Sequence, residues 1–457
     1  MRLHRRFLVI LYVGILLFTD PRMMHAGSMS ADGAYASEQE HGTVRLSELK
    51  GGERVRICYE LDGGENSPRN PDSLGKADLP FMPAVPKREG YNFAGWYTDG
   101  SYEEKITRIT RQTKFGVQTK FGVPTSSDIS MSSDGEQACI TLYAKWTAAI
   151  DNRRNVEMYS YSVSGGSSDK KKQLRDCNYN FREDVVIPGM PSTREQDYLE
   201  NIISSEGQCL QGLCFTPELI LMTSYAESGK KKGSLLVFDR ESGDYLVTLA
   251  MREDSHLGGI AFDGSNIWVC HSKPGTLERI PYGYIKRLAV QSPGYCVDVT
   301  IVSDEYPLKN TPSCITSYGD RIWVATHTKL FNSEMVSYSY NATSDTLQAV
   351  SRYEIPSKVQ GIAFDERGSV YLSTSYGREN SSYLNVYSSL IGLANDPNNP
   401  SVKVEMPPCA EEIAIADNNV YVIFESASRK YFEGTDGNGT STSPLDKMLE
   451  VTTASIW

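Results

Sequence analysis

The sequence predicts a mainly β protein made of a small N-terminal module and a larger repetitive region. Short runs that alternate apolar and polar residues predict half-buried strands, and Gly, Asn and Asp between the runs supply turns. Tyrosine is abundant, at 27 residues against 14 phenylalanines, which suits strands with exposed edges. A strand–turn–strand unit that recurs about every fifty residues organises the second part of the chain.

The recurring unit predicts a β-propeller over residues 156–457. Its first strand is centred on an apolar residue that returns at intervals of 47 to 55 positions: Leu213, Ile260, Ile315, Ile362 and Ile413. A second strand follows after a tight turn, such as Asp263-Gly264, as hairpins require. Four-stranded units with this period are typical of propeller blades. Five visible units favour five blades, and six blades are the alternative.

The start of this region predicts how the ring of blades closes. Glu157-Met-Tyr-Ser-Tyr-Ser is similar to Glu334-Met-Val-Ser-Tyr-Ser, which lies within a repeated unit. We therefore expect residues 156–188 to supply outer strands that complete the last blade, in competition with residues 448–451. As a whole the region resembles the YVTN- and quinoprotein-like propellers of secreted bacterial proteins, at the level of the superfamily.

The N-terminal module shows strands of its own. Residues 55–61 alternate apolar and polar positions, and Asp62-Gly63-Gly64 ends this run with residues that tolerate positive φ. Residues 139–146 alternate again and form the last predicted strand. The apolar area of this small core comes largely from three aromatic residues, Tyr91, Phe93 and Trp96.

Two motifs in this module carry a family resemblance. Arg-Glu-Gly-Tyr-Asn-Phe-Ala-Gly-Trp-Tyr at 88–97 and Leu-Tyr-Ala-Lys-Trp at 142–146 resemble the Listeria–Bacteroides repeat, the B repeat of internalin-type surface proteins. The resemblance covers residues 54–146 and implies a β-grasp-like module on a bacterial surface or secreted protein. We expect a flexible segment before it, at 27–53. A polar linker at 147–155 predicts some motion between the module and the propeller.

The N-terminus predicts export. Three arginines (Arg2, Arg5 and Arg6) precede twelve almost wholly apolar residues at 7–18, the pattern of a signal peptide cleaved after Ala26. Twelve residues are too few for a membrane span, which needs about 20. We therefore expect a secreted protein that is held at the surface, if at all, by non-covalent contacts. The formal net charge of −11 argues against nucleic acid as a partner.

Nine cysteines in an exported chain raise the question of disulfides. Cys58 and Cys139 lie on the first and last strands of the module and are one predicted pair. Cys209 and Cys409 each lie four residues before the central apolar residue of a unit, in blades that adjoin in a closed ring of five. They are a second predicted pair, and the alternative is that such cysteines are reduced and buried.

One set of polar residues predicts a ligand site. The position two residues before each central apolar residue should face the propeller axis at one end. The predicted axial ring consists of Gln211, His256 (beside Gly258), Ser313, Gln360 and Glu411. The remaining histidines are scattered, and C-x-x-C, H-E-x-x-H and phosphate-loop patterns are missing from the sequence, so we expect neither a metal nor a cofactor.

Two functions from different classes fit these observations. The first is a monomeric secreted or cell-surface protein that binds an envelope polymer, glycan or protein through the propeller and the module. The second is a propeller enzyme of the glycoside hydrolase or lyase type with an axial active site. Glycoside hydrolysis needs two carboxyl groups about 5–9.5 Å apart. Only Glu411 and Glu412 fall on the predicted inner strands, and neighbouring strand residues point to opposite faces, which favours binding.

Overall fold

The computed structural model describes residues 42–117, 139–162, 170–187, 208–227, 232–251 and 255–457. The protein is mainly β and contains six separate sheets in this part of the chain, which confirms the predicted class. One sheet forms the N-terminal module and five belong to the repetitive region. No helix within the described ranges is both long and apolar enough to cross a membrane. The predicted signal peptide at 1–26 lies outside these ranges.

The sheet of the module is built around its last strand, Cys139–Ala148. This strand pairs in parallel with Arg54–Glu60 and antiparallel with Tyr91–Tyr97. The remaining strands are Gly42–Arg45, Ser73–Gly75, Lys105–Ile106 and Lys114–Val117, and two 3-10 turns span Leu46–Glu48 and Lys76–Asp78. Because the first and last long strands are adjacent, the two ends of the module share one core.

Aromatic side chains fill that core. Trp96 contacts both Tyr59 and Phe93 edge to face, with ring centroids 5.6 and 5.3 Å apart. The Trp146 indole N–H donates to the Leu61 carbonyl at 2.9 Å, so its polar atom is satisfied while the ring packs on Phe93. A Cβ at Gly64 would lie 2.6 Å from the Trp146 ring, and this close approach requires glycine in the turn.

The module begins earlier than its sequence pattern indicates. Residues 27–53 were expected to be flexible, but Gly42–Arg45 pairs with Lys114–Val117. Leu46 and Leu49 are buried in the module core. The segment is too short and too polar to show a strand by alternation alone, so the strand and the buried leucines at 42–49 were not anticipated.

The repetitive region forms five successive sheets, here called ring sheets 1 to 5, each with an inner, a second, a third and an outer strand. Ring sheet 1 contains Gln208–Phe215, Leu219–Ala226, Ser234–Asp239 and Tyr245–Ala250, with Cys296–Asp298 added at its edge. Ring sheet 2 contains Ile260–Phe262, Asn266–His271, Thr276–Pro281 and Asp304–Pro307. Ring sheet 3 contains Cys314–Tyr318, Arg321–Ala325, Ser333–Asn341 and Thr346–Ile355.

The last two sheets take strands from both ends of the region. Ring sheet 4 contains Val359–Phe364, Val370–Thr374, Ser382–Tyr387 and Val402–Met406, with Lys171–Gln173 added in parallel at its edge. Ring sheet 5 contains Ala410–Ala416, Asn419–Phe424, Met448–Thr452 and Tyr179–Arg182. The strand at 448–452 thus takes the third position, and the N-terminal strand at 179–182 takes the outer one. Both strands fit into ring sheet 5 because they occupy successive positions in it, the third and the outer one.

The five sheets follow one another in a cycle. The inner strand of each ring sheet packs against the inner strand of the next, and that of ring sheet 5 packs against that of ring sheet 1. Buried Val, Ile, Leu, Trp and Tyr side chains fill the spaces between the sheets. The inner strands of the five ring sheets are therefore successive neighbours in space.

Short helices connect these strands. They span Asn152–Glu157, Tyr282–Gln291, Leu390–Asn395, Arg429–Phe432 and Thr453–Ile456, with 3-10 turns at Leu174–Asp176 and Glu425–Ala427. The helix at 152–157 occupies part of the predicted linker at 147–155, and its Asp151 cap accepts from the Arg154 backbone N–H at 2.9 Å.

The module packs directly against ring sheets 1 and 5. One apolar cluster contains Trp96 and Leu142 of the module together with Leu210 and Met448 of the ring. Buried Asp446 accepts hydrogen bonds from Asn92 at 3.0 Å and from Asn152 at 2.6 Å. These contacts oppose the motion that the polar linker predicted, since any displacement would separate buried polar groups from their partners.

Candidate functional site

Three inner strands carry a β-bulge at the position predicted to face the axis. The register of the strand pair shifts around Gln211 in ring sheet 1, around Gln360 in ring sheet 4 and around Glu411 and Glu412 in ring sheet 5. A bulge leaves one residue unpaired and turns its side chain away from the regular alternation. The bulges explain how polar side chains can be directed inward from strands that are otherwise apolar.

Two carboxyl groups meet where these bulges converge. Glu411 and Glu425 are hydrogen-bonded to each other, and both are buried, at 4% and 7% exposure. Burial, followed by the adjacent Glu425 carboxyl, raises the pKa of Glu411 well above its ordinary value. Burial also raises the pKa of Glu425. Like charges in hydrogen-bond contact disfavour double ionisation, so the arrangement favours one proton shared between the two carboxyl groups.

Two glutamine amides bracket the carboxyl pair. Gln360 Nε2 donates to Glu411 Oε1 at 3.0 Å, and Gln211 Nε2 donates to Glu425 Oε1 at 2.9 Å. Each carboxyl therefore receives a donor from a different ring sheet. We name the set Glu411, Glu425, Gln211, Gln360, Tyr225 and Lys430 the axial cluster.

A tyrosine and a lysine also belong to the axial cluster. Tyr225 donates its hydroxyl to Glu425 Oε1 at 3.0 Å, and Lys430 Nζ donates to that hydroxyl at 2.7 Å. Burial, followed by the Glu425 charge, raises the pKa of Tyr225 far above its ordinary value. Tyr225 therefore stays protonated and acts as a hydrogen-bond donor. The lysine supplies a positive charge one hydroxyl away from the carboxyl pair.

Glu412 has a different role from its neighbour. Its side chain is fully buried, with Oε1 accepting the Ile362 backbone N–H at 3.0 Å and Oε2 facing that of Ile315 at 3.4 Å. A Cβ at Gly259 would lie 2.6 Å from Oε2. This carboxyl of ring sheet 5 therefore contacts the inner strands of ring sheets 3 and 4 and lies beside Gly259, the residue that precedes the inner strand of ring sheet 2.

The five residues of the predicted axial ring are placed as follows. Gln211, Gln360 and Glu411 belong to the axial cluster. His256 is exposed, and its ring centroid lies 4.5 Å from that of Tyr225. Ser313 instead accepts the backbone N–H of His327 at 3.0 Å, and the His327 side chain is in turn hydrogen-bonded to Gln360. Among the described contacts, Ser313 is linked to the cluster through His327.

A second ring of polar residues was missed from the sequence. Each member lies three positions after the second-strand residue that pairs with the central apolar residue of its unit. The members are Tyr225, Ser272, His327, Ser375 and Glu425. All five are polar although they follow apolar strands, and that repeated change is the signal that would have revealed Glu425.

The two predicted disulfides have different outcomes. Cys58 and Cys139 are bonded across the parallel strand pair of the module, with Cα atoms 5.9 Å apart. Cys209 and Cys409 are free, so the second pair was wrong. Cys409 Sγ contacts Ser441 Oγ at 3.5 Å, whereas Cys209 is hydrogen-bonded to Tyr225 and Ser428. The two thiols thus point toward different neighbours, and burial raises the pKa of each to about 12.

Comparison with known proteins identifies part of the chain. Residues 56–117 match the model of the Listeria-Bacteroides repeat domain. The match confirms the resemblance over most of the module, which is hereafter called the repeat domain. This repeat occurs in bacterial surface proteins and is typical of surface or secreted proteins. No curated protein matches the chain.

Three solved structures are distantly similar to the chain. A glutaminyl cyclase of Myxococcus xanthus has a TM-score of 0.37 and 8% identity, covering 62% of this chain and 97% of its own. A nidogen/laminin complex has a TM-score of 0.31 and 11% identity, covering 49% and 74%. The Kuenenia stuttgartiensis hydrazine synthase has a TM-score of 0.28 and 11% identity, covering 47% and 55%. At these scores the similarities carry no conclusion about the function of this chain.

Proposed function

We propose that the protein is a secreted or surface-held bacterial binding protein in which ring sheets 1 to 5 form a five-bladed β-propeller of the YVTN- or quinoprotein-like type. The ligand site is the axial cluster. The observation that carries the proposal is that the buried Glu411–Glu425 pair receives amide donors from two different ring sheets. Burying polar groups from several blades at one point costs free energy, and such convergent polar groups are typical of binding sites.

The chemistry of the cluster indicates what the ligand offers. A carboxyl pair that holds one proton retains acceptor oxygens, and the glutamine side chains retain amide oxygens that also accept. The ligand is therefore rich in O–H or N–H donors, as the glycans and amide-containing polymers of a cell envelope are. The Lys430 charge, relayed through Tyr225, stabilises the pair when it ionises.

The repeat domain supports a location at the cell surface. It is packed on ring sheets 1 and 5 through a shared apolar cluster, so it travels with the binding site as one body. On this proposal the repeat domain holds the propeller at the envelope by non-covalent contacts, and the axial cluster recognises the polymer.

Binding of purified peptidoglycan and of a printed glycan array by the secreted chain tests the proposal. We expect Gln360→Ala and Glu411→Ala each to weaken binding by about tenfold or more, because each removes a polar contact of the cluster. Gln348→Ala, an exposed glutamine on the outer strand of ring sheet 3, is the matched control and should leave affinity unchanged. Unchanged affinity in both cluster variants would remove the axial cluster from the account.

A second function is favoured by one specific observation, the raised pKa of both carboxyl groups. A carboxyl that keeps its proton near neutral pH can act as a general acid, so an axial enzyme of the lyase type is the alternative. The glycoside hydrolase form fits less well, since hydrogen-bonded carboxyl groups lie closer than the separation of about 5–9.5 Å that such enzymes use. Turnover of a bound polymer that is abolished by Glu425→Gln would establish the enzyme.

A further inference from the structure

A cavity lies beside ring sheet 4, lined by residues that belong neither to the axial cluster nor to the repeat domain. Its volume is about 490 Å³, within the range of small-molecule sites. Eight of its eleven lining side chains carry a hydroxyl group, and none is aliphatic. A cavity of this composition cannot be explained as a packing defect in an apolar core, because such defects are lined by Leu, Ile and Phe.

On one wall of the cavity, a buried carboxyl group fixes which hydroxyl groups donate hydrogen bonds and which accept them. Glu405 is 6% exposed and accepts the Ser162 hydroxyl at 2.6 Å and the Ser381 hydroxyl at 2.5 Å. The Ser162 backbone N–H also donates to Glu405, at 2.9 Å. Since Ser381 gives its proton to Glu405, the Tyr159 hydroxyl, 3.0 Å away, must donate to Ser381. The hydroxyl oxygens of this wall therefore present lone pairs to the cavity.

The lining also includes an exposed aromatic ring. Tyr376 is 43% exposed, which is unusual for a tyrosine in this protein. The Asn380 amide donates to the Tyr376 carbonyl at 2.9 Å and closes the loop that presents the ring. Lys358 Nζ lies 5.2 Å and Lys329 Nζ 5.8 Å from the ring centroid, so cation–π contacts hold it in place.

The charges of the lining balance. Lys358 and Glu379 are the two charged residues among those that line the cavity, and they have opposite signs. A ligand of strong net charge would therefore gain little from the lining and would still lose its hydration. The ligand that fits is neutral, offers several O–H donors to a wall of acceptors, and has an apolar face for the Tyr376 ring.

We propose that this cavity is a binding site for a neutral saccharide unit. The hydroxyls of the sugar donate to the Ser162, Ser381 and Tyr159 oxygens, and its C–H face packs on Tyr376. The site is distinct from the axial cluster and shares no lining residue with it, so it adds a second, independent point of contact with a glycan.

Isothermal titration calorimetry of the full secreted chain with neutral oligosaccharides tests the site. Chitotriose, cellotriose and maltotriose are the probes, and tri-galacturonate is the acidic comparison. We expect one of the neutral trisaccharides to bind, and we expect Tyr376→Ala to weaken its affinity by about tenfold. Ser162→Ala should also weaken it, because the acceptor is lost. Ile391→Ala, which changes an exposed residue on the helix at 390–395, is the control and should bind as the parent does.

The axial variants separate this proposal from the one above. Gln360→Ala should leave the trisaccharide affinity unchanged if the cavity is the site. Loss of binding in Gln360→Ala with no change in Tyr376→Ala would overturn the cavity proposal while supporting the axial one. Binding of tri-galacturonate but of no neutral trisaccharide would also overturn the cavity proposal. So would the failure of every probe to bind the secreted chain, provided that this chain is folded, with the same unfolding temperature as Ile391→Ala.

Discussion

At the scale of single residues, Glu411 and Glu412 show how one dipeptide serves two purposes. The bulge in the inner strand of ring sheet 5 directs Glu411 to the axial cluster and Glu412 to the backbone N–H groups of neighbouring strands. The alternation rule anticipated that the two side chains diverge, but it did not anticipate that both would be buried. Burial of both is tolerated because every described contact of these carboxyls is to a hydrogen-bond donor or to a partner carboxyl.

Replacing Glu412 by alanine should destabilise the protein strongly. The change leaves the backbone N–H groups of Ile315, Ile362 and Ile413 without their acceptor in a buried place. We expect a loss of at least about 3 kcal/mol in the free energy of unfolding, measured by urea denaturation. Glu366→Ala, at an exposed turn position, is the control, with a change within about 0.5 kcal/mol. An equal effect of the two substitutions would show that Glu412 does not join the strands.

Glu412 should also impose a pH dependence on stability. Burial raises its pKa well above the ordinary value of 4.5, against the opposing effect of three backbone N–H donors. A carboxyl with a raised pKa in the folded state stabilises the protein fully below its unfolded pKa, and this contribution is lost as pH rises through the folded pKa. We therefore expect the free energy of unfolding to fall from pH 4.5 upward, and to fall less steeply in Glu412→Gln. A steeper fall in the variant would contradict the assigned direction.

At the scale of elements, the decisive feature is the origin of the outer strand of ring sheet 5. Tyr179–Arg182 comes from the start of the region and pairs with Met448–Thr452 from its end. The two segments are joined by backbone hydrogen bonds, and their apolar faces enter the same buried cluster. Ring sheet 5 is therefore completed by a noncovalent strand pair that joins the start of the repetitive region to its end.

Phe181→Ala should measure the strength of that closure. Phe181 is 6% exposed and packs in the cluster between ring sheets 4 and 5, with Leu449 as its strand partner. We expect a loss of about 3–5 kcal/mol in thermal or urea unfolding, the usual cost of removing a buried phenylalanine. Asn180→Ala, on the exposed face of the same strand, is the matched control and should have little effect. Equal unfolding free energies for the two variants would mean that the strand contributes no packing.

The elements were predictable where short-range rules decide them. The five strand pairs follow from alternation and from turns such as Asp263-Gly264, where Gly264 has a φ of +97°. The bulges were not predictable, because a bulge changes the register by one residue without altering composition. Glu425 was missed for a related reason, since it lies after a strand in a 3-10 turn and only the folded ring brings it to Glu411. The Cys209–Cys409 pair failed because equivalent positions in sequence do not fix the direction of a side chain.

At the scale of the whole molecule, the repeat domain and the ring sheets are packed against each other. Their shared apolar cluster and the buried Asp446 network join parts of the chain that the sequence separates by a polar linker. Ion pairing of Arg69 with Asp244 and a hydrogen bond from Thr107 to the Gly294 carbonyl at 3.0 Å extend the contact. Composition could not show this docking, since it depends on surfaces that both parts present only when folded.

Calorimetry should therefore show a single unfolding transition for the native chain. Asp446→Ala should split it into two, because Asn92 and Asn152 would lose their buried partner and the interface would weaken before either core. Asp320→Ala, at an exposed hairpin turn of ring sheet 3, should keep one transition. Two transitions in the native chain would show that the repeat domain unfolds independently.

A cysteine pair placed across the closing strands tests the central claim, the cyclic order of the five ring sheets, most directly. Asn180 and Glu450 are directly opposed in the register of ring sheet 5, although 270 positions separate them in the sequence. Under mild oxidation, N180C/E450C should form an internal disulfide, seen as faster migration on a non-reducing gel and as a linked peptide by mass spectrometry. N180C/Q348C, which places the second cysteine on ring sheet 3, should not. Cross-linking of neither pair, or of the second pair alone, would contradict the closed ring and the axial site that depends on it.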